Sequence, residues 1–332
     1  MYKKWVIAAV IGVIAAGGLA YATVWPTSTA IWPTRPVTMV VPFAAGGPTD
    51  VVGRIMAQQL SDSLQQQFIV ENVGGAGGMI GAQRVAQAAP DGYQVLLGTV
   101  GTQAYNQTLY KKPLYRAVDD FTPVVLIAEQ PLVLVVNKDF PAGTLAEFIT
   151  YAKANATKLS FGSGGVGSST HLGCVLLNSA IGVQVQHVPY KGSAPALQDL
   201  IAGRIDYLCD AVSTELTQIK AGTVKPIAVL SAQRSAALPD VPTAQEEGIA
   251  GFEANNWIGL FFPRHTPESI VRQLHDAVVE AMNSASVRDR VAAIGTDLVP
   301  AERRSEDYLK RFVASQIKKW AEPIKASGVS VD

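Results

Sequence analysis

The sequence has little charge and lacks the residue patterns that mark common catalytic sites. Only 16% of its 332 residues are charged, and Lys plus Arg equals Asp plus Glu at 27 each, so no sustained positive field exists to attract nucleic acid. There is no G-x-S-x-G motif, no G-x-x-x-x-G-K-[ST] motif and no C-x-x-C pair. The histidines, His171, His187, His265 and His275, lack metal-ligand spacing. We therefore expect no catalytic residue, no metal and no cofactor.

One long apolar run stands out in a composition that is otherwise globular, with 48% hydrophobic residues. Lys3 and Lys4 precede an uncharged segment over residues 5–24, and small-residue cleavage signatures end at Ala22 and Ala30. This pattern predicts a secretory signal peptide over residues 1–30, cleaved after Ala22 or Ala30, with an uncleaved membrane anchor as the alternative. We expect an exported protein in the periplasm of a Gram-negative bacterium.

Cysteine is scarce: the chain contains Cys174 and Cys209 and no other. In an exported protein the pair is compatible with a disulfide, which across a separation of 35 residues would stabilise the fold by about 4 kcal/mol in the chain-entropy model. The alternative is two buried thiols that act as small apolar side chains. The sequence leaves both possibilities open.

Short apolar runs alternate with amphipathic segments from residue 37 onward. The first series predicts strands over residues 37–42, 68–73 and 94–97, separated by helices over residues 50–65 and 79–88. A β-α-β-α-β run of this kind implies a parallel sheet with right-handed crossovers.

A second series of strands and helices follows, and extended apolar segments connect it to the first. We predict adjacent strands over residues 124–128 and 132–136, around Gln130 and Pro131, and a returning strand over residues 257–262. These segments fit two passages of the chain between halves. The predicted fold is α/β with two lobes, each a mostly parallel sheet flanked by helices, and a two-stranded hinge. Lobe 1 comprises residues 31–128 and 255–332, and lobe 2 comprises residues 129–254.

Three junctions after predicted strands are rich in glycine and hydroxyl residues and contain no Lys or Arg. They are FAAGGPTD at residues 43–50, GTVGT at residues 98–102 and SGGVGSST at residues 163–170. Ligands of open α/β sheets bind outside the carboxyl ends of the strands, and the first amides of a helix lack internal partners. The junctions therefore favour a small anion as ligand. The alternative for each is a tight turn, or a capped helix start that needs no ligand.

Two features of these junctions allow more than one interpretation. Gly162, Gly164 and Gly167 satisfy G-x-G-x-x-G, but the acidic residue that a dinucleotide site needs about 20 residues later is missing. Asp210 follows another predicted strand and precedes a helix, so it is either a ligand contact or an N-cap.

Five stretches resemble, in order, the extracytoplasmic solute receptors of tripartite tricarboxylate transporters, the TctC or Bug family. They are PFAAGGPTD (42–50), VENVGGAGGMIGA (70–82), PDGY with GTVGTQAYNQTLY (90–93 and 98–110), HVPYKGSAPAL (187–197), and ALPDVPTAQEEG with NNWIGLFFP (237–248 and 255–263). The resemblance covers residues 35–332. It departs from many members in the first junction, where those members carry Pro in place of Ala44 or Ala45.

The resemblance implies a type II periplasmic-binding-protein fold whose lobes close on a small carboxylate, held by backbone amides and ordered waters. It implies a monomer that delivers its ligand to two membrane transporter subunits, one small and one large. The junctions and the resemblance together predict the ligand-binding residues Phe43, Ala44, Ala45, Gly46, Gly47, Thr49, Asp50, Thr99, Thr102, Gly165, Gly167, Ser168, Ser169, Thr170 and Asp210.

The leading hypothesis is a transport receptor for a dicarboxylate or an aromatic acid. A sensory module that signals to a membrane kinase is one alternative, which the sequence does not separate from transport. A periplasmic enzyme that uses Ser169 and His171 is another, although the missing catalytic motifs argue against it.

Overall fold

The computed structural model describes residues 32–332. The predicted signal peptide, residues 1–30, lies outside the described residues. Within residues 32–332, no helix combines the length and the apolar character that crossing a bilayer requires.

Strands and helices alternate along most of the described chain, as the sequence predicts. The strands are β1 (Val37–Val41), β2 (Phe68–Asn72), β3 (Gln94–Thr99), β4 (Phe121–Asn137), β5 (Ser160–Ser163), β6 (Gln186–Pro189), β7 (Tyr207–Ala211), β8 (Val224–Val229), β9 (Asn255–Pro263) and β10 (Asp297–Leu298). The α-helices are α1 (Pro48–Leu64), α2 (Met79–Ala86), α3 (Asn106–Leu109), α4 (Leu145–Asn155), α5 (Ser169–Ile181), α6 (Ser193–Ile201), α7 (Val212–Lys220), α8 (Glu268–Asn283), α9 (Ala285–Ala293) and α10 (Glu306–Ala326).

The first sheet is built on the predicted parallel strands. Strand β1 lies between β2 and β3 and is parallel to both, while β9 continues the sheet antiparallel to β3 and β4. Helix α1 begins at Pro48 and buries one face, including Val52, Met56 and Leu60, beside this sheet. The carboxyl ends of β1 and β3 therefore lie side by side, next to the start of α1.

The second sheet repeats this arrangement. Strand β5 is parallel to β6 and β7, and both β7 and β8 are antiparallel to β4. The order across both sheets is β2-β1-β3-β9-β4-β7-β5-β6, with β8 and β10 pairing to β4 off this path. The α/β periplasmic-binding-protein fold that the sequence predicts is confirmed.

The prediction of two separate strands around Gln130 and Pro131 is wrong. Residues Phe121–Asn137 form one continuous strand, β4, which belongs to both sheets. Pro131 pairs with Asn255 of β9, and on the other edge of β4 it lies in the gap between the β10 pairing, which ends at Glu129, and the β7 pairing, which begins at Leu132. The missing N–H of Pro131 therefore interrupts no pairing on that side. Strands β4 and β9 together connect the two sheets.

Buried apolar residues form separate cores on the two sheets. One core includes Met39, Leu96 and Phe261, and draws nearly all its residues from the ranges 32–128 and 257–324. The second sheet has a core on each face, with residues between 132 and 254. We call residues 32–128 with 255–332 the first half, and residues 129–254 the second half.

The structure places Cys174 and Cys209 in a disulfide, with 5.3 Å between their Cα atoms. It links α5 to β7 inside the second half, and both residues are fully buried. The bond fixes the helix that follows the SGGVGSST junction to the centre of its sheet.

Candidate functional site

The first junction leads from β1 into α1 without a capping side chain. Gly47 precedes the helix and makes no side-chain hydrogen bond to it, and Pro48 occupies the first turn. The backbone N–H groups that follow, at Thr49 and Asp50, lack partners within the helix. Together with the positive end of the helix dipole they offer a site for negative charge.

Asp50 holds this junction in shape from behind. Its carboxylate accepts hydrogen bonds from Gly46 N at 2.9 Å, from Asn72 Nδ2 at 2.8 Å and from the Arg54 guanidinium at 2.9 and 3.0 Å. Burial alone would raise the pKa of Asp50, but these hydrogen bonds and the Arg54 charge outweigh it and lower the pKa. With its oxygen atoms engaged, Asp50 organises the loop, and it does not line the cavity described below.

The second junction, between β5 and α5, uses most of its polar groups internally. Ser168 Oγ accepts from His171 N at 3.2 Å and donates to Gly165 O at 2.7 Å, while Thr170 Oγ1 accepts from Gly164 N at 2.8 Å. These bonds support the predicted capped helix start. Ser169 is the hydroxyl residue of this turn that takes no part in them.

Gly165 and Gly167 shape the second junction. Both have positive φ, at 116° and 89°, which other residues rarely adopt. Gly165 N donates to Ser163 Oγ at 3.1 Å, and Gly167 N donates to His171 Nδ1 at 3.3 Å. Their N–H groups therefore already have partners within the protein, so these glycines contribute backbone shape.

A further helix start, at α6, reaches the same place and is missing from the predicted ligand-binding residues. Gly192 precedes Ser193 without any side-chain cap. A β-carbon on Gly192 would lie 3.0 Å from Ala44 N, and Ala44 N donates to Lys191 O at 3.0 Å. The signal in the sequence was the segment Gly192-Ser193-Ala194-Pro195 shortly after a strand, which has the glycine and the early proline of a helix start.

The starts of α1, α5 and α6 converge on a cavity of about 20 Å³. None of the described residues that line it is charged. They are Phe43, Gly47, Pro48, Thr49, Gly164, Ser168, Ser169, Thr170 and Ser193. The hydroxyl groups of Thr49 and Ser169 have no hydrogen-bond partner within residues 32–332, and neither is sealed away from the cavity. This arrangement presents neutral donors and three helix dipoles to a bound group.

The third junction supports the first from behind. Thr99 N donates to Thr102 Oγ1 at 2.9 Å, and Thr102 Oγ1 donates back to Thr99 O at 3.2 Å, which closes a compact turn. Tyr115 donates its hydroxyl to Thr102 O. Thr99 and Thr102 do not line the cavity, and Thr102 instead contacts Gly78 beside Phe43.

Asp210 is buried next to Ser193, on the side away from the cavity. It interacts electrostatically with Glu215, which is also buried. Asp210 Oδ1 accepts from Ala211 N at 2.6 Å, and Asp210 does not line the cavity. Burial raises the pKa of Asp210 to about 6, although hydrogen bonds from Ser193 and Ala211 oppose the rise. Burial and the charge of Asp210 raise the pKa of Glu215 well above its ordinary value, and neither carboxyl oxygen of Glu215 has a hydrogen-bond partner in the described chain.

The two halves meet around the cavity. Tyr110 donates its hydroxyl to Val166 O at 3.1 Å, and a β-carbon on Gly101 would lie 2.7 Å from Gly167 O. Approach of two backbones to this distance requires glycine. The two halves are therefore in direct backbone contact beside the cavity.

Two halves joined by β4 and β9, with an uncharged cavity between helix starts, define a solute-binding protein of the periplasmic-binding-protein class. The family model described as "Tripartite tricarboxylate transporter family receptor" matches residues 52–329, and the chain belongs to this TctC family. Receptors of this family are extracytoplasmic binding proteins.

Three similar proteins match most of the sequence. The protein BugT of Bordetella pertussis is 35% identical over 325 residues, which cover 97% of this chain and 98% of BugT. The structure of MatC from Rhodopseudomonas palustris with bound malate has a TM-score of 0.86 and 40% identity, and covers 88% of this chain and 100% of MatC. The structure of R. palustris Rpa4515 with adipate has a TM-score of 0.86 and 37% identity, and covers 90% of this chain and 99% of Rpa4515.

Proposed function

We propose that this protein is a periplasmic receptor that captures a small carboxylate between two lobes and delivers it to a tripartite tricarboxylate-type transporter. The observation that carries the proposal is the convergence of three helix starts on one uncharged cavity. The free hydroxyls of Thr49 and Ser169 add donors from opposite sides.

A carboxylate fits this site although no cation lines it. Each helix start contributes about 0.3–1 kcal/mol to binding an anion, more where it is partly buried. Arg54 is engaged by Asp50 and leaves the site without a fixed positive charge. Neutral hydrogen-bond donors give a moderate affinity for the carboxylate. A moderate affinity suits a receptor that must release its ligand to a transporter.

The similar structures support the ligand class. The MatC structure contains bound malate and the Rpa4515 structure was determined with adipate, and both molecules are dicarboxylates. We therefore propose that this protein binds a small dicarboxylate or an aromatic acid. One carboxylate of the ligand lies at the three helix starts.

Binding requires the halves to separate. A cavity of about 20 Å³ has room for about one water molecule, so a dicarboxylate cannot enter the closed form. We propose that residues 31–128 with 255–332 and residues 129–254 move as lobes 1 and 2. Strands β4 and β9 are the hinge, because they carry the chain between the two sheets.

The transport hypothesis also includes export, a monomeric state and docking on membrane subunits. The predicted signal peptide exports the protein, which acts as a monomer, and the closed, loaded form docks on a small and a large membrane subunit. A sensory role would use the same closure.

Thermal unfolding against matched ligands tests the proposal. We expect malate, adipate or benzoate to raise the melting temperature, since ligand at 100 times its dissociation constant adds about 2.7 kcal/mol to the free energy of unfolding. The uncharged diamides of malic and adipic acid are the matched controls and should have no effect. If amines or sugars stabilise the protein while carboxylates do not, the ligand class is wrong.

A further inference from the structure

A second, larger cavity lies on the other side of the SGGVGSST junction. It measures about 850 Å³ and runs between α5, β6 and the chain after α10. Its lining includes Phe161, His171, Asn178, His187 and Val329. Ligand pockets of this kind usually measure about 300–1,000 Å³, so its size suits a small organic molecule.

One wall of this cavity is a stack of flat rings. The rings of Phe161 and His187 lie 4.8 Å apart at 23°, and those of His171 and His187 lie 4.2 Å apart at 35°. These residues come from β5, α5 and β6, and the fold alone brings them together. A wall of stacked rings favours binding of a planar ligand that can stack on it.

A hydrogen bond from Gly167 fixes the position of the ring proton on His171. Its Nδ1 accepts from Gly167 N at 3.3 Å, so the ring proton of the neutral side chain sits on Nε2. Nε2 has no partner within residues 32–332, and His171 is 3% exposed and lines the cavity. The largely buried His171 side chain therefore presents an accessible, unpartnered N–H donor to the cavity. Because Nδ1 is occupied and Nε2 is protonated, His171 is not poised to bind a metal ion.

The cavity also disfavours charge. None of the described residues that line it is Lys, Arg, Asp or Glu. Burial, with a smaller effect from His187, lowers the pKa of His171 to about 3, and burial lowers the pKa of His187 to about 4. Both rings are therefore neutral at physiological pH. An ion that entered would lose water without gaining an opposite charge.

We propose that this cavity is a second binding site, for an uncharged planar molecule that carries a hydrogen-bond acceptor, such as an aromatic carboxamide. The ring of the ligand stacks on His187, and its acceptor takes the His171 Nε2 proton. The site is separate from the carboxylate cavity but shares a wall with it. Ser163 Oγ bonds both Gly165 N and His187 Nε2, and His171 bonds Gly167 N.

Benzamide and benzamidinium form a matched pair of probes with the same planar shape, of which only benzamide is neutral and carries a hydrogen-bond acceptor. In ¹H–¹³C NMR spectra of the purified protein we expect benzamide to shift the ring signals of His171 and His187, with a dissociation constant of about 10 mM or tighter for a ligand of its size. Signals of His265 and His275 serve as internal controls, because neither residue lines the cavity.

A variant that fills the cavity tests the location. Ser179 is exposed and lies on the rim, so Ser179→Trp should weaken benzamide binding at least fivefold without disturbing the fold. Ser315→Trp, on the exposed face of α10, is the control and should bind like wild type. The proposal is overturned if benzamide shifts neither ring, if benzamidinium saturates the same two signals equally well, or if Ser179→Trp leaves benzamide binding unchanged.

Discussion

Gly77 and Val166 pack so closely that a β-carbon on Gly77 would lie 2.0 Å from the Val166 carbonyl oxygen. The two residues belong to opposite halves, and Gly77 also has positive φ, at 60°. Contact this close is possible only for glycine, and only while the halves are together. The glycines around the cavity therefore allow the two halves to come into contact.

Gly101 offers the clearest test of closure. It contacts the other half, and its φ is not positive, so an alanine there causes no backbone strain of its own. Its added β-carbon would lie 2.7 Å from Gly167 O in the closed form and would be free in an open one. Such an overlap costs about 1–3 kcal/mol. We therefore expect Gly101→Ala to weaken carboxylate binding about tenfold or more, measured by isothermal titration calorimetry.

The control for this variant is Gly143→Ala, where the nearest atom to the added carbon is Glu147 Oε2 at 3.7 Å. It should bind like wild type. Small-angle X-ray scattering should show that Gly101→Ala stays expanded when ligand is added. Wild-type affinity for Gly101→Ala would contradict closure around Gly101.

Ser169 and Thr170 are neighbours with different expected roles. Ser169→Ala removes a free donor to a charged ligand, worth about 1.5–3 kcal/mol, so the dissociation constant should rise at least about tenfold while the melting temperature of the unliganded protein stays unchanged. Thr170→Ala removes the acceptor for Gly164 N and should lower the melting temperature. Ser179→Ala, exposed on the same helix, is the neutral control. Equal loss of stability in both variants would mean that the Ser169 hydroxyl stabilises the junction and is not free for a ligand.

Asp50 is expected to stabilise the fold through its hydrogen bonds to the first junction. Asp50→Ala removes the acceptor for Gly46, Asn72 and Arg54, and should lower the free energy of unfolding by about 2 kcal/mol or more. Because the lowered pKa of Asp50 stabilises the fold above its ordinary pKa of 3.8, this contribution disappears as the pH falls below that value. Chemical denaturation of both proteins at neutral and at acidic pH measures it. Unchanged stability at neutral pH would contradict the role.

The Asp210–Glu215 pair predicts stability that falls as the pH rises. Both pKa values are raised, so the folded protein holds protons that the unfolded chain releases. The free energy of unfolding should therefore decrease from the ordinary Asp pKa of 3.8 through the raised value of about 6, and further as Glu215 ionises.

Glu215→Gln removes one of these ionisations. We expect a higher melting temperature than wild type at about pH 8 and a flatter dependence of melting temperature on pH. Glu280→Gln, exposed on α8, should reproduce the wild-type profile. A steeper profile in Glu215→Gln would show that the buried carboxylate is stabilising instead.

The sequence predicted those parts of the fold and site that follow from local patterns. Apolar periodicity predicted β1, β2, β3 and the helices between them. Glycine and hydroxyl residues after strands indicated the junctions at Thr49 and Ser169, which the structure brings to one cavity.

What the sequence did not predict depends on tertiary packing. The continuity of β4 through Pro131 depends on where its partner strands end. Ser193 joins the cavity because Gly192 packs on Ala44, a contact between residues far apart in the chain. Asp and Glu side chains are usually exposed, so the local sequence did not predict that Asp210 and Glu215 are buried together.

A crystal structure with a bound carboxylate tests the central claim most directly. The ligand should be whichever of malate, adipate or benzoate raises the melting temperature most. We expect one carboxylate between the halves, within hydrogen-bond distance of the first amides of α1 and α5 and of the Ser169 hydroxyl. The same solute bound outside the interlobe cavity, or held there by Lys or Arg side chains, would contradict the account.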